Sequence, residues 1–381
     1  MYQDFDDEQL SRRDRIRELA SSALGHRLDE CDREGRFPKE DWERCGAEGI
    51  IGCHVPKAYG GQGLDAVTTV LTLEALGYGC RDNGLTLAVG GQTWSVQEPI
   101  LIYGNEDQKQ RFLPRLCSGE WIGCHGVSEE QSGSDALSLQ TTARPVDGGY
   151  LLNGRKIYIG MAPLADVALV LANTNPSAGK WGVSAFLVRK GTKGFSQSEP
   201  RGKTGTRTNL LGDLMFEDCF VPEEDRLGAE GIGVSLFSQT IAWERAFIHA
   251  GHLGAMQYLF EECLSYAKER RQFGQAIGKF QSISNRIADM HLRLETSRLL
   301  MYKVAAMKDG SVDATLECAM TKLHLGETLL ECATHAVRIH GARGYLQGNE
   351  VERQMRDSLG SVIYAGTSDI QRNLISGLLG L

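Results

Sequence analysis

Residues 280–294 read FQSISNRIADMHLRL, and Phe280, Ile283, Ile287, Met290 and Leu294 fall at alternating steps of three and four. That spacing sets apolar side chains along one stripe of a helix, the seam of a helical bundle. Lys308-Asp309-Gly310 predicts the end of this helix, and a further one is expected over about 312–340, stopped at Gly341. Long helices joined by short connections read as a four-helix bundle, assigned to 226–381. Working towards the N-terminus, the texture changes. Segments 150–159, 167–172, 183–188 and 214–221 are short and β-branched or aromatic, and Gly- and Asn-rich turns such as Asp147-Gly148-Gly149 and Asn153-Gly154 bound them. A small barrel or sandwich is expected over 121–225. From Asp7 to about Ser118, Leu10, Ile16, Leu19 and Leu24 recur among charges at roughly helical spacing. The loop Tyr59-Gly60-Gly61-Gln62-Gly63 interrupts this helical domain, assigned to 1–120. The fold class is therefore α+β, in the order helices, strands, helices.

Composition narrows the function classes. The 381 residues are 41% hydrophobic and 24% charged, a balance that supports a sizeable core and two or three domains. A formal net charge of −8 argues against nucleic acid as a partner, since nothing offsets phosphate repulsion. Ten cysteines are scattered without a CxxC pair, which reads as buried thiols in a reducing cytoplasm. No run of about 18 apolar residues occurs, so no membrane span is expected. The stretch 1–17 is rich in Asp, Glu and Arg and carries no hydrophobic core of a secretory signal.

Three segments carry polar groups suited to a ligand. Val127-Ser128-Glu129-Glu130-Gln131-Ser132-Gly133-Ser134-Asp135 is a Ser/Gly loop whose hydroxyls and backbone N–H groups can cradle a phosphate or a polar ring edge, or form a plain turn. Glu269-Arg270-Arg271-Gln272-Phe273-Gly274, followed by Phe280-Gln281, sets an Arg pair at a helix end, suited to a pyrophosphate or to solvent. Tyr364-Ala365-Gly366-Thr367-Ser368-Asp369, preceded by Arg338-Ile339-His340-Gly341-Ala342, reads as loop-to-helix junctions with Thr or Ser caps. His249 and His252 lie three residues apart on one helix face. Bundle packing suits them better than a metal, which needs more ligands than the chain offers there.

In order and spacing these segments, with the 59–63 loop and Leu214-Met215-Phe216-Glu217-Asp218-Cys219-Phe220-Val221-Pro222, resemble the acyl-CoA dehydrogenase superfamily over essentially the whole chain. The resemblance implies FAD held between the strand domain and the bundle. Val127, Ser128, Gly133 and Ser134 match its flavin and pyrophosphate contacts, and Tyr158 an aromatic lying against the isoalloxazine. Arg270, Gln272 and Phe273 match residues that reach a neighbouring subunit's FAD, which implies a homo-oligomer, dimer or tetramer, and Gln281 is a further expected cofactor contact. Arg338, Gly341, Thr367 and Asp369 match further cofactor contacts. Metal ligands are not implied.

Dehydrogenation of a thioester needs a desolvated carboxylate for the α proton and donors on the carbonyl. Many family members carry the base just before Gly-Thr-Ser, where this chain has Ala365. Trp243-Glu244-Arg245-Ala246 resembles the alternative site of isovaleryl-type enzymes. Glu244 is thus expected as base, in an apolar helical stretch over 237–259, against the plainer reading of a surface or Arg-paired residue. The Ala365 backbone N–H is expected to donate to the thioester carbonyl, with Arg245, Tyr364 and Gly366 beside the substrate. Gly160 stands where a hydroxyl near flavin N5 is usual, Glu130 where a proline is common, Ala342 where a glycine is, and Arg338 where a Gln is frequent. Glu244, Gly160 and Gly79-Cys80-Arg81-Asp82-Asn83-Gly84-Leu85 resemble the L-prolyl-carrier-protein dehydrogenase branch. The expected substrate is accordingly a small acyl or aminoacyl thioester on a carrier protein or CoA, in the cytoplasm, with an electron-transfer flavoprotein or O2 as acceptor. Arg201, Lys203 and Arg207 are a candidate basic patch for an acidic carrier protein, or else a solvated loop. An O2-using flavin oxidase or monooxygenase and a non-catalytic flavin scaffold are the competing readings.

Overall fold

The computed structural model describes residues 5–381; the first four residues of the stretch read for a leader lie outside them. The N-terminal helices are α1 (Asp7–Ala23), α2 (Leu28–Glu34), α3 (Lys39–Ala47), α4 (Ala66–Cys80), α5 (Asn83–Gly91), α6 (Glu98–Tyr103) and α7 (Glu106–Cys117). Asp6 caps α1 by accepting from the Gln9 N–H at 2.8 Å while the Gln9 side chain accepts from the Asp6 N–H at 3.1 Å, satisfying two otherwise orphaned donors. Between α5 and α6 the chain does not leave the helix but widens into a π-helical segment, Gln92–Gln97, an irregularity that concentrates at functional sites.

The middle of the chain is an eight-stranded sheet of β1 (Gly123–Gly126), β2 (Thr142–Val146), β3 (Gly149–Gly160), β4 (Val167–Asn173), β5 (Val183–Arg189), β6 (Phe195–Gln197), β7 (Leu211–Pro222) and β8 (Arg226–Leu227). Its order is β6-β7-β3-β2-β4-β5-β8, with β1 pairing in parallel to β4. Strand β4 explains why its sequence is apolar throughout. Val167, Leu169 and Leu171 pack with Val96, Ile100, Phe112 and Leu116 of the N-terminal helices. Ala168, Val170 and Ala172 face the opposite cluster of Tyr150, Phe186, Leu214 and Phe216. Both faces are buried, so the period-2 alternation is between two cores rather than core and water.

The C-terminal helices are α8 (Gly233–Phe247), α9 (Ala250–Glu269), α10 (Gln281–Asp309), α11 (Thr315–His340), α12 (Glu350–Ser361) and α13 (Ser368–Leu378). The tight hairpin of β9 (Arg271–Gln272) and β10 (Gln275–Ala276) lies between α9 and α10. The continuous helix expected over 237–259 is broken. The chain turns at Ile248 and His249, where His249 N–H bonds Ala246 O at 3.3 Å, before α9 resumes. Neither Pro nor Gly marks this break. It redirects the chain just before Gly251 and Gly254 meet α4. A Cβ on Gly77 would lie 1.9 Å from Gly251 O, and one on Gly254 would lie 2.1 Å from Glu74 O. Only residues without side chains allow this approach of two helices. No helix among the described residues is long and apolar enough to cross a membrane, and all ten cysteines are buried and unpaired.

The loop after β1 is anchored from beneath. Lys156 on β3 is fully buried and its Nζ lies 2.7 Å from Glu129 Oε1 and 3.1 Å from Val127 O. Glu129 also accepts from the N–H groups of Gln140 and Thr141, at 2.6 and 3.0 Å. Removing one partner of a buried pair strands the other. Lys156→Met should therefore cost about 3–5 kcal/mol, read as a lowered Tm. Adding Glu129→Gln, which keeps an acceptor for the two N–H groups without the charge, should recover much of that loss.

Candidate functional site

Glu244 sits on the last turns of α8 and is 9% exposed. Its Oε2 has no hydrogen-bond partner, and the Ser95 hydroxyl, from the π-helical segment, stands near enough to favour the ionised carboxylate. Burial pushes its pKa up to about 7, against the opposing pull of the Ser95 hydroxyl and the Arg245 charge. Arg245 makes no salt bridge within 4.0 Å among the described residues, and its Nε is buried without a partner. Glu244 is therefore neither a surface residue nor half of a tight ion pair. Four residues before Ser95, Gly91 has nothing within 4 Å of where a Cβ would stand, so open room adjoins this face of the helix.

The loop between α12 and α13 carries Tyr364, Ala365 and Gly366. Ala365 holds φ at +53°, a conformation that costs a non-glycine residue on the order of 1 kcal/mol or more. Its N–H has no partner among the described residues, while its carbonyl accepts from Gln371 at 3.4 Å. An oriented, unused donor is what a developing negative charge requires. Tyr364 directs its hydroxyl to His252 Nε2 at 3.2 Å, and its ring stacks on His249 at 5.4 Å. His249 and His252 meet Nδ1 to Nδ1 at 3.0 Å. Burial lowers the pKa of His252 to about 4 and holds that of His249 well below the ordinary imidazole value, so both rings are neutral at pH 7. Among the described residues no group of three His, Cys, Asp or Glu is arranged to hold a metal.

The remaining predicted positions lie on other elements than Glu244. The Ile157 N–H bonds Ser128 O at 2.9 Å, which joins the 127–135 loop to β3 beside Tyr158 and Gly160. The N–H groups of Gly133 and Ser134 have no partner among the described residues, and a Cβ on Gly133 would touch nothing. These are the properties of an open anion cradle. Tyr158 is 60% exposed with φ +58°, an aromatic face turned outward at a strained position. Phe273 is 93% exposed at the tip of the β9–β10 hairpin, with Arg270 and Gln272 exposed beside it and Gln281 opening α10. Arg338 and Gly341 close α11, with Gly341 at φ +60°. Thr367 uses its hydroxyl to cap α13 on the Ile370 N–H, and Asp369 pairs with Arg372. The open cradle and the outward aromatic fit the pyrophosphate and ring portions of an elongated cofactor.

Family models match three successive stretches: "Acyl-CoA dehydrogenase, N-terminal domain" at residues 6–120, the "middle domain" at 124–219 and the "C-terminal domain" at 231–379. The chain is 40% identical over 346 residues to an L-prolyl-[peptidyl-carrier protein] dehydrogenase of Pseudomonas fluorescens, covering 91% of each chain. The chain belongs to the acyl-CoA dehydrogenase family. Among solved structures it superposes on the prolyl acyl carrier protein oxidase AnaB with a TM-score of 0.97 at 42% identity, over 99% of this chain and 100% of that one. It superposes equally on PigA, solved with FAD and proline, at 35% identity over the full length of both.

As an acyl-CoA dehydrogenase family member it is an oxidoreductase acting on acyl thioesters. The residues expected as a basic patch, Arg201, Lys203 and Arg207, are not three free cations. Arg201 is held by Asp213 at 2.7 and 3.0 Å. Lys203 turns inward to the carbonyls of Thr206 and Asn209, and Arg207 bonds its Nε to Lys203 O at 3.0 Å. Asp213, shared with Arg155, offsets part of the Arg201 charge, and carbonyl bonds fix where the Lys203 and Arg207 cations point. Ser95 was not foreseen, because nothing in its local sequence sets it apart from any helical serine. A base with a pKa near 7 is active when ionised, so kcat/KM should rise with pH through about 7. Ser95→Ala removes a hydroxyl that favours the carboxylate, and should move that rise to higher pH in a stopped-flow pH profile.

Proposed function

We propose that this acyl-CoA dehydrogenase family member is an FAD-dependent dehydrogenase of a small aminoacyl thioester, prolyl or prolyl-like, borne on a peptidyl carrier protein in a cytoplasmic biosynthetic pathway. The observation that carries this reading is the buried, incompletely hydrogen-bonded Glu244, with a pKa near 7, in a family whose other base position is here Ala365. Likeness to the prolyl-carrier enzymes supports the substrate class, and likeness to FAD-bound PigA supports the cofactor.

Glu244 takes the α proton, and Arg245 beside it stabilises the ionised form that does so. The Ala365 N–H donates to the thioester carbonyl and supports the charge that develops there. The 127–135 loop, Tyr158 and Gly160 would hold FAD, which when bound would supply the acceptor for the β hydrogen. The outward Phe273 tip and the apolar cleft formed by Leu300, Met320, Leu323, Ile375 and Leu379 on α10, α11 and α13 support a homo-oligomer in which the tip reaches a neighbouring subunit. An electron-transfer flavoprotein or O2 takes the electrons onward.

Anaerobic bleaching of the flavin band tests the reading. Prolyl-carrier protein should bleach wild type rapidly and Glu244→Gln slower by about a hundredfold or more, with FAD retained. Bleaching by short or branched acyl-CoAs alone would replace the carrier-protein reading with a catabolic one. Undiminished bleaching in Glu244→Gln would remove the base assignment. For the oligomer, Phe273→Asp should lower FAD occupancy together with the mass seen by light scattering; loss of neither argues against a shared site.

A further inference from the structure

Gly160 ends β3 and pairs with Leu211 of β7. The one atom within 4 Å of where a Gly160 Cβ would stand is Asn209 Oδ1, at 3.3 Å. That separation is tighter than ordinary van der Waals contact, so a side chain at 160 and the Asn209 carboxamide compete for the same volume.

Asn209 is placed by its backbone rather than by its side chain. Its N–H bonds Thr206 O at 2.9 Å, its carbonyl accepts from Lys203 Nζ, and the next residue, Leu210, accepts from the Met161 N–H at 2.6 Å. The residue is only 4% exposed, its carboxamide makes no hydrogen bond among the described residues, and neither its oxygen nor its nitrogen is sealed from solvent. A carboxamide held by a buried backbone with its polar atoms open is free to bond a ligand. Beside it stands Tyr158, 60% exposed, with the Arg201 guanidinium 5.3 Å above its ring.

We propose that Asn209 is the side chain that addresses the redox-active edge of the flavin, and that Gly160 is a glycine because the carboxamide occupies the space above it. The inference rests on the reading that FAD lies against Tyr158 and Gly160. A carboxamide offers one acceptor and two donor hydrogens, so it serves a ring nitrogen both as a bare acceptor and as an N–H. Asn209 thereby does what a hydroxyl at residue 160 would do, from the loop that precedes β7, and is a positioning and tuning residue for the cofactor.

The test compares wild type with Asn209→Ala, Gly160→Ser and the double variant, each with and without FAD. Because the amide has no protein partner, Asn209→Ala should leave the Tm of the FAD-free protein unchanged. It should raise the FAD dissociation constant about fivefold, as loss of one hydrogen bond does, and shift the visible band and the midpoint potential. Gly160→Ser alone crowds the amide and should weaken FAD binding. In the double variant the serine finds the vacated space, and binding and potential should return towards wild type. Asn209→Ala with an unmoved spectrum and potential, while Gly160→Ser moves both, would overturn the role of Asn209 and leave the FAD site standing. If neither variant moves them, the placement of FAD against Gly160 fails as well. A lowered Tm of FAD-free Asn209→Ala would make the residue structural and sink the proposal, and Asn209→Ser distinguishes cavity formation from loss of the polar group.

Discussion

The contact on which the rest of the molecule depends is the near-touching of α4 and α9 at Gly77, Gly251 and Gly254, where backbone meets backbone. Helices with ordinary side chains pack about 8–10 Å apart; the absence of Cβ atoms here lets them come closer. One core therefore runs without interruption from Ile16 and Leu76 in the N-terminal helices to Leu253, Met290, Leu329 and Ala336 in the bundle. Two helical regions far apart in the chain become a single body, and the sheet is held against it by the apolar face of β4. The start of α9 is then positioned by packing, and with it the turn at His249 and the end of α8 that bears Glu244. Any side chain at Gly77 or Gly254 would push these elements apart by more than a core tolerates without backbone shifts.

Within that body, two buried glutamates show how partners decide a carboxylate's chemistry. Glu98 is 4% exposed and burial pushes its pKa up, but His54 at 3.2 Å and Lys308 overcome this and hold it down to about 2. Glu244 is similarly buried, with only a serine and a guanidinium beyond salt-bridge distance, and burial prevails. The first is a fixed anion that ties α6 to α10. The second titrates near neutrality, as a proton-transferring group must. The chain separates these roles by arrangement alone, since residue type and burial are the same.

Much of the fold was legible along the chain. The apolar seam of α10, its end at Gly310, and the strands β3, β4, β5 and β7 follow from periodicity and turn residues, because local backbone preference and the core agree there. Strands β1 and β2 and the break at His249 were not, for they have no local signal: β1 is Gly123-Cys124-His125-Gly126, and its pairing with β4 is what makes it a strand. The helix expected from about 312 begins only at Thr315, where the Asp313 side chain accepts from its N–H at 3.1 Å. At the candidate site, Glu244 and Ala365 stood out by motif. That the Ala365 N–H lacks a partner, that Tyr364 is committed to His252, and that Arg201 and Lys203 are bonded internally became visible only with neighbours in place.

The sequence by itself determined the family, the α+β order of helices and strands, and the absence of a carboxylate at residue 365, because these reside in residue identity and spacing along one chain. Tertiary structure alone decided that Glu244 is desolvated, that Ser95 is its neighbour, and that Asn209 fills the room above Gly160. The physical reason is that desolvation and hydrogen bonding depend on which groups fold against one another. Ser95 meets Glu244, and Asn209 meets Gly160, across long stretches of intervening chain that no local pattern records.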